Sequence, residues 1–288
     1  MCQRCPEGSL LPTTFLPMPN ALFAKDGNTF HPTGLTRSFW SDEAQHGGPP
    51  VGLLGRAIEN VQTVIPMQVA RLTVDLFREV PVNLPLIVET EVVRDGRRIQ
   101  VVDAVIIAAG RKVARASGLK IRTTDVAVPS VNAAWKQPPG PDEAEVVSWG
   151  RFGFENSDHE RFHSHGIEIR TIDDSFLTLG EGLSWLRLTV PVVEGEETTP
   201  FVGTAALADG GNGNSMALDG REWLYVNPDV SLSLHRLPEG EWLGMRSLAH
   251  QHPSGIGCAD SLLFDESGPI GRVGQSQILE PRSDALTT

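Results

Sequence analysis

The chain has 288 residues, 40% hydrophobic and 21% charged, with a formal net charge of −12 and a pI near 5.1. That is enough apolar material for a full core in one large domain or two small ones. The acidic balance argues against nucleic acid and anionic membrane surfaces as partners.

Cys2, Cys5 and Cys258 are too few for a disulfide framework, which favours a reducing cytoplasm. The lone Cys2-x-x-Cys5 pair has no second pair and no histidine at zinc spacing, so it reads as two inert thiols at a terminus. Pro12, Pro17 and Pro19 break the mildly apolar stretch from Ser9 to Ala24, leaving no secretory core, and no window reaches the length of a membrane span. Residues 1–20 read as an extended or disordered leader to a soluble protein.

The first predicted element is a hairpin around Asp26-Gly27-Asn28, flanked by short apolar runs. After His46-Gly47-Gly48-Pro49-Pro50, the residues Val51, Leu53, Leu54, Ala57, Ile58 and Val61 recur at helical spacing, giving an amphipathic helix with a small-residue face. From Val69 to Thr123 the pattern turns to period two, with strands expected over Ala70 to Phe77, Leu86 to Val93, Ile99 to Ala108 and Val113 to Ile121. Turns at Pro81-Val82-Asn83, Asp95-Gly96 and Ala109-Gly110 suggest a four-stranded meander following one helix. The polar, Pro-rich segment 124–165 reads as a linker.

The same grammar then returns. Strands are expected over Gly166 to Thr171 and Leu183 to Val190, followed by a helix opened by Pro200. Further strands are expected near Val226 to His235, Glu241 to Ala249, Gly257 to Phe264 and Ile270 to Leu279. Superposing the Pro81 turn on Pro238 gives an offset of 157, which carries Gly110 onto the Ser267-Gly268 turn and the helix at 47–61 onto 204–218. We therefore expect an internal duplication of a helix plus sheet, an α+β architecture with halves at 21–123 and 166–282 and a short tail at 283–288.

The second helix contains Asp209, a carboxylate among small apolar residues just before Gly210-Gly211-Asn212-Gly213. Buried there, it needs hydrogen-bonding partners or a chemical task; exposed, it would be an ordinary turn-former. The glycine run lacks the Lys-Ser/Thr of a P-loop and follows no strand, so it is no phosphate cradle. The eight histidines show no metal-ligand spacing. His163 and His165 lie in the polar linker, where solvated side chains are the default, and no metal or cofactor is expected.

An antiparallel sheet wrapped on a central helix, twice, is the shape of the hotdog fold. The sequence resembles the double-hotdog acyl-CoA thioesterases, of the thioesterase II type and their actinobacterial thioesterase-like relatives. The residues that carry the resemblance are His46-Gly47-Gly48, His165-Gly166 with Glu168 and Arg170, Ala208-Asp209, Asn227-Pro228-Asp229 with His235-Arg236, Gly240-Glu241-Trp242, Gly255-Ile256-Gly257, and the stretch from Gly268 to Gln277. They span about residues 20 to 282. The resemblance implies a tandem hotdog that hydrolyses a fatty acyl-CoA to the free acid and CoA, without a cofactor.

It further implies that a water is activated and oriented by Asp209, Asn227 and Gln275, with His46, Gly47, Gly48 and Gly210 close to the substrate. Asn227 departs from the family's hydroxyl residue, although an amide both accepts and donates. Gln275 and Gln277 share a strand face, and the family's Arg-x-x-Gln spacing favours Gln275. Such chemistry needs a base for the water and donors for the oxyanion, here expected from backbone N–H groups at a helix start.

Bland readings stand beside these. Asn227 could simply begin a strand, the two glutamines could face solvent, and His46 could only cap a helix. Arg236 and Arg272 are candidate CoA contacts, against the usual solvated strand charge. Two other functions stand beside this one: a catalytically silent acyl-binding hotdog, and an enoyl-CoA hydratase, disfavoured because the catalytic histidine that its signature places around an Asn-Pro pair is missing at Asn227-Pro228. Partners are then an acyl thioester and, by symmetric association, a second copy in a homodimer.

Overall fold

The computed structural model describes residues 20–128, 135–148, 159–173, 175–176, 178–220 and 222–282. The Cys2/Cys5 pair and the tail at 283–288 lie outside them. No described helix is long and apolar enough to cross a membrane.

β1 (Phe23–Asp26) and β2 (Thr29–Pro32) form the expected hairpin, with Gly27 supplying the positive φ of 57° that its turn requires. α1 (Gly48–Glu59) begins at the second of the two glycines and carries prolines in its first turn, where an absent N–H costs nothing. Then come β3 (Met67–Asp75), β4 (Leu86–Asp95), β5 (Ile99–Ala108) and β6 (Arg111–Arg122). The expected meander fails at its first connection, because β4, β5 and β6 pair in succession while β3 pairs with β6. The segment around Pro81 does not turn β3 back on itself. It runs beside residues 43–45, with Gln45 N–H donating to the Val80 carbonyl and Val82 N–H to that of Glu43.

The second half contains β7 (Glu145–Val146), β8 (Ile167–Thr171), β9 (Gly182–Leu188), α2 (Pro200–Leu207), the short α3 (Gly211–Asn214), β10 (Trp223–Val226), β11 (Asp229–Leu234), β12 (Leu243–His252), β13 (Ile256–Asp265) and β14 (Gly268–Pro281). Part of the stretch read as a linker is built into this half: β7 extends the sheet beside β8, and Phe162 is buried.

The strands follow one another as β1-β2-β4-β5-β6-β3-β11-β14-β13-β12-β9-β8-β7 in a single continuous sheet. Apart from β7, and from β10 that pairs with β14 off this path, the order is palindromic about the β3–β11 pair, where Leu72 faces Leu232 and Val74 faces Val230. The two halves thus join edge to edge within one chain, each sheet half wrapping its own helix. The offset of 157 holds for three strand pairs, since β12, β13 and β14 begin that far after β4, β5 and β6 (Leu86 and Leu243, Ile99 and Ile256, Arg111 and Gly268). The helix departs from it. α2 begins at Pro200, not in the 204–218 window, because the second half places its extra residues between the helix and β11.

The helices pack on each other through small residues. A Cβ on Gly48 would lie 2.4 Å from the Ala206 carbonyl oxygen, one on Gly52 2.8 Å from Ala206 Cβ, and one on Gly55 3.1 Å from Ala205 Cβ. Three glycines on one helical face therefore let α1 and α2 approach backbone to backbone. This contact brings the start of α1 to the end of α2, and so places the site.

Candidate active site

α2 does not end at the glycines. It tightens into a 3₁₀ turn over Ala208–Gly210 and continues as α3. The glycines let this turn pass under the sheet: a Cβ on Gly211 would sit 2.5 Å from Gln275 Oε1 and 3.0 Å from Ser261 Oγ. Asn214 then anchors α3 to β12, its Nδ2 donating to the Met245 carbonyl at 2.9 Å and to Ser247 Oγ at 2.8 Å.

The turn leaves Asp209 buried, only 7% exposed, beneath the N-terminus of α1. Its Oδ1 accepts hydrogen bonds from Asn227 Nδ2 at 2.9 Å and from Gln275 Nε2 at 2.8 Å. Its Oδ2 lies 3.2 Å from His46 Nδ1, and the Gly47 backbone N–H also donates to the carboxylate. Burial raises the Asp209 pKa above the ordinary carboxylate value, while His46, the two amides and the Gly47 N–H pull it back down. Burial pushes His46 the other way, below the usual imidazole range, with Asp209 opposing. Burial thus favours the neutral imidazole. Its Nδ1 lies between the Gly48 N–H, at 3.0 Å, which favours a bare Nδ1, and the Asp209 carboxylate, which favours a protonated one.

Asp209, Asn227, His46, Gly47 and Gly210 line one cavity of about 320 Å³. Its apolar wall includes Phe162, Ile169, Phe176 and Leu186, and Trp40, 58% exposed, stands on its rim. The three expected polar residues are brought together, with Asp209 and Asn227 on the cavity wall. Asn227 and Gln275 both spend an NH2 on Asp209, and Gln275 stands behind the carboxylate, outside the cavity lining. Through these bonds they hold the carboxylate, while Asn227 also lines the cavity and the buried Gln275 Oε1 accepts no hydrogen bond among the described residues. Gly48 is also outside the lining, packed against Ala206.

The helix start offers no spare donor. The Gly47 and Gly48 N–H groups are taken by Asp209 and His46, Pro49 and Pro50 have none, and the Val51 N–H closes onto the Gly47 carbonyl. This corrects the expectation of backbone oxyanion donors there. Arg236 is likewise no substrate contact: it forms a bidentate pair with the fully buried Asp265, at 2.5 and 2.6 Å, that ties β11 to β13. Among the described residues, no group of three or more His, Cys, Asp or Glu forms a metal site.

The sequence missed three contributors. Phe162 and His163 sit on a π-helical turn (Phe162–Gly166) where solvated histidines were expected. His163 is 4% exposed and packs on Phe39 with ring centroids 4.0 Å apart, and burial lowers its pKa to about 2. Asn212, in the glycine run, bonds to both Asn227 and Gln277.

Only one half carries this constellation. The 157-residue offset maps Gln275 onto Gly118 and Gln277 onto Lys120, consistent with the pairing of Ala259 to Gln275 and of Val102 to Gly118. A Cβ on Gly118 would sit 2.4 Å from Ile58 Cγ2, so an aliphatic contact occupies the place of the Gln275–Asp209 hydrogen bond. Lys120, buried, donates to the Glu59 and Val61 carbonyls and caps the C-terminus of α1.

Comparison with known proteins agrees with this architecture. The solved structure of a protein of unknown function with a hot dog fold from Alicyclobacillus acidocaldarius superposes with a TM-score of 0.69 at 15% identity, covering 91% of this chain and 97% of that one. An acyl-CoA thioesterase II from Mycobacterium marinum superposes with a TM-score of 0.63 at 16% identity, covering 90% and 95%. These likenesses show the fold. No curated protein matches the chain. Residues 36–121 match the acyl-CoA thioesterase N-terminal domain and residues 133–279 the acyl-CoA thioesterase C-terminal domain. With both domains matched in order over most of its length, the chain belongs to the acyl-CoA thioesterase family.

Proposed function

We propose that the protein hydrolyses an acyl-CoA thioester to the free acid and CoA, with Asp209 as general base. The observation that carries the reading is a buried carboxylate on the wall of an apolar cavity, with one oxygen fixed by two amide donors. Its pKa, raised by burial, makes it a stronger base than a solvated aspartate.

In the proposed reaction a water oxygen bonds to the thioester carbonyl carbon while its proton passes to Asp209. The carbonyl π electrons move onto oxygen. We assign the stabilising donor to His46 in the tautomer that carries its proton on Nε2, with Nδ1 accepting from the Gly48 N–H. Collapse of the tetrahedral intermediate expels the CoA thiolate, which takes up the proton. A positioned base contributes roughly 10²- to 10⁴-fold to such a step. Asn227 and Gln275 act as positioning residues for the base. The apolar wall suits a hydrocarbon acyl group.

The test is thiol release from short-, medium- and long-chain acyl-CoAs. Saturable release from at least one supports the reading and gives the chain length the cavity accepts. Saturable binding without release from any would mean that the site holds an acyl thioester and does not cleave it.

A further inference from the structure

Asn227 can present either end of its amide to Asp209, and only the NH2 end stabilises a carboxylate. What fixes the choice lies one residue further back. Asn212 Nδ2 donates to Asn227 Oδ1, which holds that oxygen away from Asp209. Gln277 Nε2 in turn donates to Asn212 Oδ1, and Gln251 Nε2 to Gln277 Oε1 at 3.4 Å. Four amides are thus joined in series, each donating to the next, and the last donates to Asp209 Oδ1 at 2.9 Å. Gln277 is only 2% exposed, so reversing its amide would leave a buried group mispaired. This gives a role to the second glutamine of the strand face, which Asp209 does not touch.

We propose that Asn212 is a positioning residue that sets the polarity of this amide relay, so that the Asn227 NH2 group faces the Asp209 carboxylate. The inference rests on Asp209 acting as the general base. Asn212 reaches this place because α3 continues the helix through glycines, and because Gly211 clears Gln275. With both Asn227 and Gln275 donating to Oδ1, Oδ2 is the oxygen that lies beside His46.

Replacing Asn212 by aspartate removes the donor and supplies an acceptor. The Asn227 NH2 then turns toward residue 212, its carbonyl oxygen turns toward Asp209, and a second carboxylate stands nearby. Both changes disfavour ionised Asp209. The other charged or titratable groups around the site are His46, with His163 behind it, Tyr225 on β10, Arg78 and Glu79 across the cavity, and Asp229, whose Oδ1 accepts from Ser276 N–H. None of them is altered by the substitution.

The experiment is the pH profile of kcat/KM for wild type, Asn212→Asp, Gln277→Glu and Asp209→Asn, with folding checked by thermal melting. Asn212→Asp is expected to move the acid limb upward by about one pH unit or more. Its loss at neutral pH, roughly 10-fold on that shift, should be recovered as the pH rises. Gln277→Glu acts one amide further back and should move the limb the same way by less, which keeps the test intact if Asn212→Asp fails to fold. Loss of rate at every pH with an unmoved limb in the folded variants would assign Asn212 a merely structural role and overturn the inference. Should Asp209→Asn abolish hydrolysis while the relay variants keep the wild-type limb, the inference fails alone. If Asp209→Asn keeps its rate, the base reading fails and the inference with it.

Discussion

Gly47 and Asp209 are in such close contact that a Cβ on the glycine would lie 2.5 Å from the carboxylate Oδ2 and 2.9 Å from its Cγ. The constraint is one of space, because the backbone at Gly47 has an ordinary helical φ of −64°. The helix start and the carboxylate must fit together before any chemistry can occur. Gly47→Ala should therefore displace Asp209, lowering kcat by more than about 10-fold and stability by about 1–3 kcal/mol, the usual range for overpacking. Steady-state kinetics beside urea unfolding would check both effects.

The two strand glutamines are separable. Gln275 donates to Asp209 directly, whereas Gln277 reaches it only through Asn212 and Asn227. Gln275→Ala removes a hydrogen bond to a charged group, a loss of about 1.5–3 kcal/mol. Its kcat should fall by roughly 10- to 100-fold on that figure, and Gln277→Ala should cost less. Equal losses would contradict the geometry.

The pH dependence has a definite sign. Asp209 works as a base only when ionised, and burial raises its pKa above the model carboxylate value of 3.8. Activity should therefore rise with pH along an acid limb lying above that value. His46, whose pKa burial lowers, should add no loss of protonation above pH 7. A kcat/KM profile measured with a buffered acyl-CoA assay will place the limb, and a midpoint at or below 3.8 would contradict the burial.

His163 makes a prediction for stability. Burial lowers its pKa from 6.5 to about 2, so below pH 6.5 the unfolded chain binds a proton that the folded chain refuses. Its stabilising contribution is complete above that pH and is lost as the pH falls, by about 1.4 kcal/mol per unit. His163→Phe keeps the ring against Phe39 and removes the proton site. Urea unfolding between pH 7 and pH 5 should show a shallower fall for the variant than for wild type.

Much of the fold was legible because period-two runs and Gly/Pro turns mark strands directly. The equal loop lengths around Pro81 and Pro238, and around Gly110 and Gly268, disclosed the duplication. The failure at β3 is also physical: strand pattern fixes which residues are extended, not which neighbour they pair with, and nothing local distinguishes a turn at Pro81 from a crossover. In the site, Asp209 stood out as a carboxylate among apolar residues, and Gln275 came only through resemblance to a family. His163 was read as solvated because its neighbours in sequence are polar, whereas Phe39, far away in the chain, buries it. Asn212 was hidden in a glycine run whose role as continuing helix depends on tertiary contacts with Gln275 and Ser261.

The most direct test is the rate of thiol release by Asp209→Asn beside wild type, on the acyl-CoA that wild type cleaves best. The asparagine is nearly isosteric and retains an oxygen to accept from Asn227 and Gln275, so the variant should fold and bind substrate. Its kcat should fall by roughly 10²-fold or more. A folded variant with wild-type kcat would remove Asp209 from the reaction.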